Sequence, residues 1–333
     1  MKKLSVLLAF MLTASVAMYA SPAKCLLHHN GKVTLYDAED IENAIKATVD
    51  GDTLYLSEGQ FAGFTITKKI TVRGSGQMSR IGGDIIVEIP NSPTLTSTLL
   101  EGFYSNSDIV IKAEVNGLQI KQCKFNNIHT FANVNNAVLD KVFVSGTLFL
   151  GKYWLGLTCN NSKVKSVYTN FSGYNQTSFG GYDTDILPSS SIYFINCNIC
   201  DLQHYRANAD YISVINSIIR NSQILDESNI SYCLGGNYNG YKLNYNPETT
   251  QVYSIYTDNS DGYTIDGNSL ECRYDAATLA SKGYLGQDNS IVGCYGGTSP
   301  FSLDLVGPKV TATNIQIDND TKQLSVTLNV TAK

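Results

Sequence analysis

The stretch CDLQHYRANAD (200–210) sets Asp201, His204, Tyr205, Arg206 and Asp210 in one short polar loop between two apolar strands. These side chains could supply a base, an acid and a charge neutraliser, the set needed to abstract a proton beside a carboxylate and eliminate across the neighbouring bond. Polar loops between packed strands have the same composition, so the loop is the best catalytic candidate without being a signature. Two acidic stretches, GYDTDILP with Asp183 and Asp185 and DNSDGYTIDGN (258–268), offer carboxylates suited to calcium. Neither has EF-hand spacing, and solvated acidic turns account for both. His28-His29 reads as a detail of the terminus and not as a metal ligand.

Cysteine and tyrosine are the other chemically expressive residues. Cys197 and Cys200 form a C-x-x-C, but they lie in SIYFINCNICDL, which alternates like a strand. Side chains three apart on a strand point to opposite faces, and no second such pair completes a tetrahedral metal site. Buried thiols or ordinary disulfides are therefore expected of the 8 cysteines. Among 21 tyrosines, Tyr238, Tyr241 and Tyr245 fall in the aromatic stretch GGNYNGYKLNYNPETTQVYSIY. They could stack on sugar rings or anchor a partner, or could tuck against the body of the protein.

The elements that must position these residues begin after a leader. Lys2 and Lys3 precede an apolar run and small residues, the pattern of a signal peptide over 1–20. The run is too short for a membrane span, so an exported protein without one is expected. The net charge of −5 becomes more negative once the two lysines leave, which argues against nucleic acid as a partner. Asp37, Glu39 and Asp40 ahead of Ile41, Ala44 and Ile45 predict one helix, ended near Gly51.

Short strands follow. Leu54 and Leu56, Phe64 and Ile66, then Ile70 and Val72 are apolar positions alternating with polar ones, separated by turns at EG and TKK. Strands this short need neighbours stacked above and below them. A loose repeat aligned on Cys123, Val142, Thr169, Cys197, Ser217 and Cys233 predicts coils with loops of unequal length. Asn126, Asn127, Asn170, Asn196, Asn216 and Asn221 flank the apolar rungs, where asparagine tolerates left-handed backbone and can bond between turns. An antiparallel sandwich would need hairpin turns between most strand pairs, and matches such as Asn116-Gly117 and Asn239-Gly240 are few. The predicted class is all-β, a parallel β-helix over 21–305 with an N-terminal capping helix and a β-hairpin tail over 306–333.

The segment 42–76, ENAIKATVDGDTLYLSEGQFAGFTITKKITVRGSG, resembles the opening of the pectin-lyase-like, right-handed parallel β-helix superfamily. Gly51, Asp52, Thr53, Leu54, Leu56, Gly59, Phe61, Ile70, Thr71, Gly74 and Gly76 carry the likeness. A second stretch, GQDNSIVGCYGGTSPFSL (286–303), is similar to a closing motif of secreted bacterial β-helix proteins, with Asn289 and Ser290 where glycine and threonine are usual. The resemblance implies the fold, which enzymes and non-enzymes of the superfamily share. Polygalacturonase-like members carry Asp-Asp, Gly-His-Gly and Arg-Ile-Lys, all missing here, and Asn208-Ala209-Asp210 is only one of three Asn-x-Asp matches. The arginine settings of pectate-lyase-like members are missing too.

The leading expectation is a non-catalytic, exported protein that binds a polysaccharide or a surface protein partner. The alternative is a polysaccharide lyase or glycoside hydrolase acting on pectin-like or other acidic glycans. No cofactor is expected, and Ca2+ enters only if the chain is a lyase.

Overall fold

A computed structural model describes residues 23–90, 97–150, 153–168, 191–203, 212–222, 230–235, 252–254, 265–304, 309–318 and 323–331. The chain divides into two compact units, 1–303 and 304–333. Residues 1–20, where a signal peptide is expected, lie outside the described residues.

The first unit is a β-solenoid of about 7 turns, with parallel coils stacked on one another. An 11-stranded and a 14-stranded sheet run along its length. Their strands pair parallel from coil to coil, as Thr53–Leu56 with Thr71–Arg73 and Thr71–Arg73 with Leu99–Glu101. Strand alternation sends every second side chain inward, and the register stacks like on like. Leu54, Val72, Leu100, Ile120 and Leu139 form one such inner column and are fully buried. Each contributes about 1.5–3 kcal/mol by leaving water.

The opening coil follows the predicted pattern. Leu54, Leu56 and Phe61 point inward, and Gly51 and Gly59 turn the chain at φ +93° and +132°. The carboxylates between them serve the backbone. Asp50 accepts from the N–H of Lys69, and Asp52 accepts from the N–H of Val49.

The helix Ile41–Lys46 buries Ile41, Ala44 and Ile45 and lies beside the strand Phe64–Ile66. A 3-10 turn, Ala38–Asp40, precedes it, and Asp37 pairs with Lys24 without capping any N–H. A hairpin, Lys24–His29 with Lys32–Asp37, turns at Asn30-Gly31, an Asn-Gly hairpin signal in the sequence with both residues at positive φ, and adds antiparallel to Thr53–Leu56. It brings His29 Nδ1 to 2.7 Å from Asp52, so His29 belongs to this end of the solenoid.

At the corner between the two sheets, left-handed residues recur coil by coil, among them Gln122, Lys141, Asn161, Asn196, Asn216 and Tyr232. Each is followed by an inward rung: Cys123, Val142, Ser162, Cys197, Ser217 and Cys233. Ser162 holds the position for which the sequence repeat offered Thr169, which lies outside the described residues. The Ser162 hydroxyl accepts from the N–H of Val142 one coil below, and Ser217 does the same for Cys197. Cys197 points inward and Cys200 outward, as strand alternation requires, and all eight cysteines are free thiols. Asn196 and Asn216 take left-handed backbone as expected, whereas Asn126 and Asn127 hydrogen-bond to a carboxylate instead.

Residues 265–303 pack on the outside of the 14-stranded sheet. Ile265, Leu270, Leu279 and Val292 cover Cys200, Ile218 and Leu234, which face outward from their strands. Asn289 adopts φ +60°, a left-handed backbone that asparagine tolerates better than most residues. Ser290 Oγ bonds Asp288 and accepts from the N–H of Gly297, closing the loop.

The second unit contains an antiparallel hairpin, Lys309–Asp318 with Gln323–Thr331, bulged between Ala312 and Asn314.

Candidate functional site

On the 14-stranded sheet the outward residue of one strand stands directly over the outward residue of the next. Gln60 pairs with Arg80, Arg80 with Tyr104, Tyr104 with Lys124, Lys124 with Phe143 and Phe143 with Lys163. Cation and aromatic ring therefore alternate along one column. The Lys124 ammonium sits 4.6 Å from the Tyr104 ring centre and 5.2 Å from that of Phe143. Such rings attract the ammonium through their quadrupoles and leave its charge in place. Among the described residues no carboxylate pairs with Arg80 or Lys124.

The column changes character at Lys163. Its ammonium is buried, pairs with Glu271, and lies 4.6 Å from the Phe301 ring and 5.2 Å from that of Tyr295. The 265–303 segment thus covers and neutralises that rung. Burial, Cys294 and Glu271 together push the Tyr295 phenol up, so it stays protonated and donates to Glu271. Phe143, half-buried, packs against the edge of that segment's apolar cluster, so the open part of the face runs from Gln60 to Lys124 with Phe143 at its boundary.

The 11-stranded sheet presents a different face. Arg73, Glu101, Lys121 and Asp140 stand in one outward column with signs that alternate, and Arg73 pairs with Glu101. Burial raises the Asp140 carboxyl above its ordinary range, against the pull of Lys141 and Lys121. A column that neutralises itself offers little to a charged ligand.

Of the catalytic candidates, Asp201 alone is described. It is half-buried, in register with Ser166 below it and Asn221 above it. His204, Tyr205, Arg206 and Asp210 lie outside the described residues, as do Tyr238, Tyr241, Tyr245, Asp183 and Asp185. Asp266 binds the N–H groups of Asn268 and Ser269, which makes it an acidic turn. Among the described residues no group of three or more His, Cys, Asp or Glu is placed to hold a metal ion. A cleft of about 430 Å³ beside Arg220 and Arg273 also contains Asp266 and Glu271, so its charges are mixed.

A second carboxylate–imidazole pair, besides His29 with Asp52, is not legible in the sequence. Asp108 Oδ2 lies 3.1 Å from His129 Nε2, and the His129 ring stacks on Phe149 at 4.4 Å. The pair belongs to a ladder in which each side chain accepts an N–H from the next coil. Asp84 accepts from Asp108 N, Asp108 from Asn127 N, and Asn127 from Thr147 N. Asp108 Oδ1 also accepts from the amides of Asn126 and Asn127, so both its oxygens are committed. The signal in the sequence is an Asp or Asn immediately before the strands Ile85–Val87, Ile109–Ile111 and Ile128–Thr130.

Burial works against the Asp108 carboxylate, but the bonds and charge of His129 and the two asparagine amides outweigh it and hold its pKa below the ordinary value. A lowered folded pKa stabilises above the unfolded value and loses that contribution as pH falls through the folded one. Asp108→Asn is expected to lower stability by about 1–2 kcal/mol at neutral pH. The gap from the parent should close below about pH 4. Urea midpoints at pH 7 and pH 3 check this, and a gap of the same size at both would refute the role.

Compared with family models, with curated proteins and with solved structures, the chain finds no match in any of the three.

Proposed function

We propose that this chain is an exported protein of the pectin-lyase-like β-helix kind that binds glycan, without cleaving it, along the open face of the 14-stranded sheet. The observation that carries this reading is Lys124 held between the rings of Tyr104 and Phe143, with the exposed Arg80 in the same column. Rings fixed on a rigid sheet can stack on the apolar faces of sugars, and ordering them adds little entropic cost on binding. The carboxylate that could have served as a base beside His129 is committed to the coil ladder instead. The leader over 1–20 and the likeness of 42–76 and 286–303 to secreted β-helix proteins support export.

Affinity electrophoresis of the purified protein through gels containing glycans tests the reading. Tyr104→Ala and Phe143→Ala should each weaken retention about tenfold, the loss of one good aromatic contact. Release of unsaturated product from polygalacturonate, seen as rising ultraviolet absorbance, would establish the lyase alternative instead. The loop that begins at Asp201 would then be the first place to mutate.

A further inference from the structure

We propose that the ligand of this face is a glycan in which anionic and neutral sugars alternate. The inference rests on the glycan-binding reading above and adds the class of sugar.

The argument begins with spacing. Adjacent coils bring paired rungs about 4.8 Å apart, so Arg80 and Lys124, two coils apart, repeat at about 10 Å. A sugar in an extended β-linked chain advances by about one such spacing, and a disaccharide by about two. A glycan lying along the column therefore meets a cation at every second sugar and a ring at each sugar between. Tyr104 and Phe143 fill the ring positions. Four successive rungs, Arg80, Tyr104, Lys124 and Phe143, make room for two disaccharides. Beyond them the buried Lys163, already neutralised by Glu271, closes the run.

Charge favours the same ligand. The chain as a whole is negative, at −5, yet Arg80 and Lys124 stand here without a carboxylate partner among the described residues. Lys124 is held by rings that do not cancel its charge, so its position is set before any anion arrives. A homopolyuronate would press a carboxylate against each ring and strip its water with nothing in return. A neutral glycan would leave both cations unused. The self-neutralising column on the 11-stranded sheet serves as an internal control, since its Arg73 is paired with Glu101.

Calorimetric titration of the full chain with three tetrasaccharides decides the matter: an alternating glucuronate–N-acetylglucosamine tetramer, tetragalacturonate and cellotetraose. The alternating tetramer should bind at least about tenfold more tightly than either of the others, an advantage that shrinks as ionic strength rises. Arg80→Gln and Lys124→Gln should each remove most of that preference. Equal or tighter binding of cellotetraose or tetragalacturonate by the parent chain would overturn the alternation and leave glycan binding standing. Failure of all three to bind would overturn both. The salt dependence is read on the parent chain, so the test survives if a variant does not fold.

Discussion

Asn198→Ala is expected to loosen the 265–303 segment from the solenoid and to cost about 2–5 kcal/mol, from two buried backbone groups left without partners. The Asn198 side chain is 1% exposed, donates to the Leu270 carbonyl at 2.9 Å and accepts from the N–H of Cys294 at 3.0 Å. Alanine can do neither. The segment descends the corner in steps, with Gln287 N on Asn216, Cys294 N on Asn198, and the carbonyls of Cys294 and Gly296 on Asn161. The asparagines come so close that side chains opposite them do not fit. A Cβ on Gly286 would lie 2.6 Å from Asn216, and one on Gly297 would lie 2.5 Å from Asn196. Asn198→Ala should therefore speed amide exchange across 265–303 while the inner strands of early coils keep their protection. Unchanged exchange in that segment would refute the clamp.

Phe125→Ala should be at least as damaging, at about 3–5 kcal/mol, because it opens a cavity in a close-packed core. Phe125 is fully buried, and Phe103, one coil below, meets it edge to face with ring centres 5.7 Å apart. It also immediately follows Lys124 on the strand Lys124–Phe125, so its loss reaches the outer column. Coils in a solenoid support only their neighbours, and the damage should centre on the coils carrying Tyr104, Lys124 and Phe143. Denaturant midpoints and glycan retention should fall together. A loss below about 1 kcal/mol would mean that the site collapses around the gap more readily than packing predicts.

The largest losses thus come from residues inside or behind the face, whereas the residues proposed to meet a glycan can be exchanged at small cost to stability. Tyr104 and Phe143 are half-buried and Arg80 is exposed. That separation makes the binding predictions testable in folded protein.

What could be read in the sequence was whatever depends on neighbours along the chain. Leu54 and Leu56 alternate with Thr53 and Tyr55 because a strand has a period of two, and Gly51 and Gly59 stand where the backbone must turn. Those local rules predicted the parallel coils, a helix burying Ile41, Ala44 and Ile45, and the opposite faces of Cys197 and Cys200, although the helix ends at Lys46 and Asp37 does not cap it. The left-handed asparagines at 196 and 216 followed from the same local chemistry.

The face, its charge and its boundary were decided by register between coils. Tyr104, Lys124 and Phe143 are far apart along the chain, and loops of unequal length hide the step that aligns them. The same inequality led the repeat to Thr169 where Ser162 holds the rung. Asp108, just before its strand, and His129, within the strand stacked on it, met for that reason as well. Lys163 looked like any other lysine until the 265–303 segment brought Glu271, Tyr295 and Phe301 to it. Side-chain direction is a property of the strand and legible in one dimension. Which side chains become neighbours depends on how many residues each coil spends on its turns, and only the folded stack settles that.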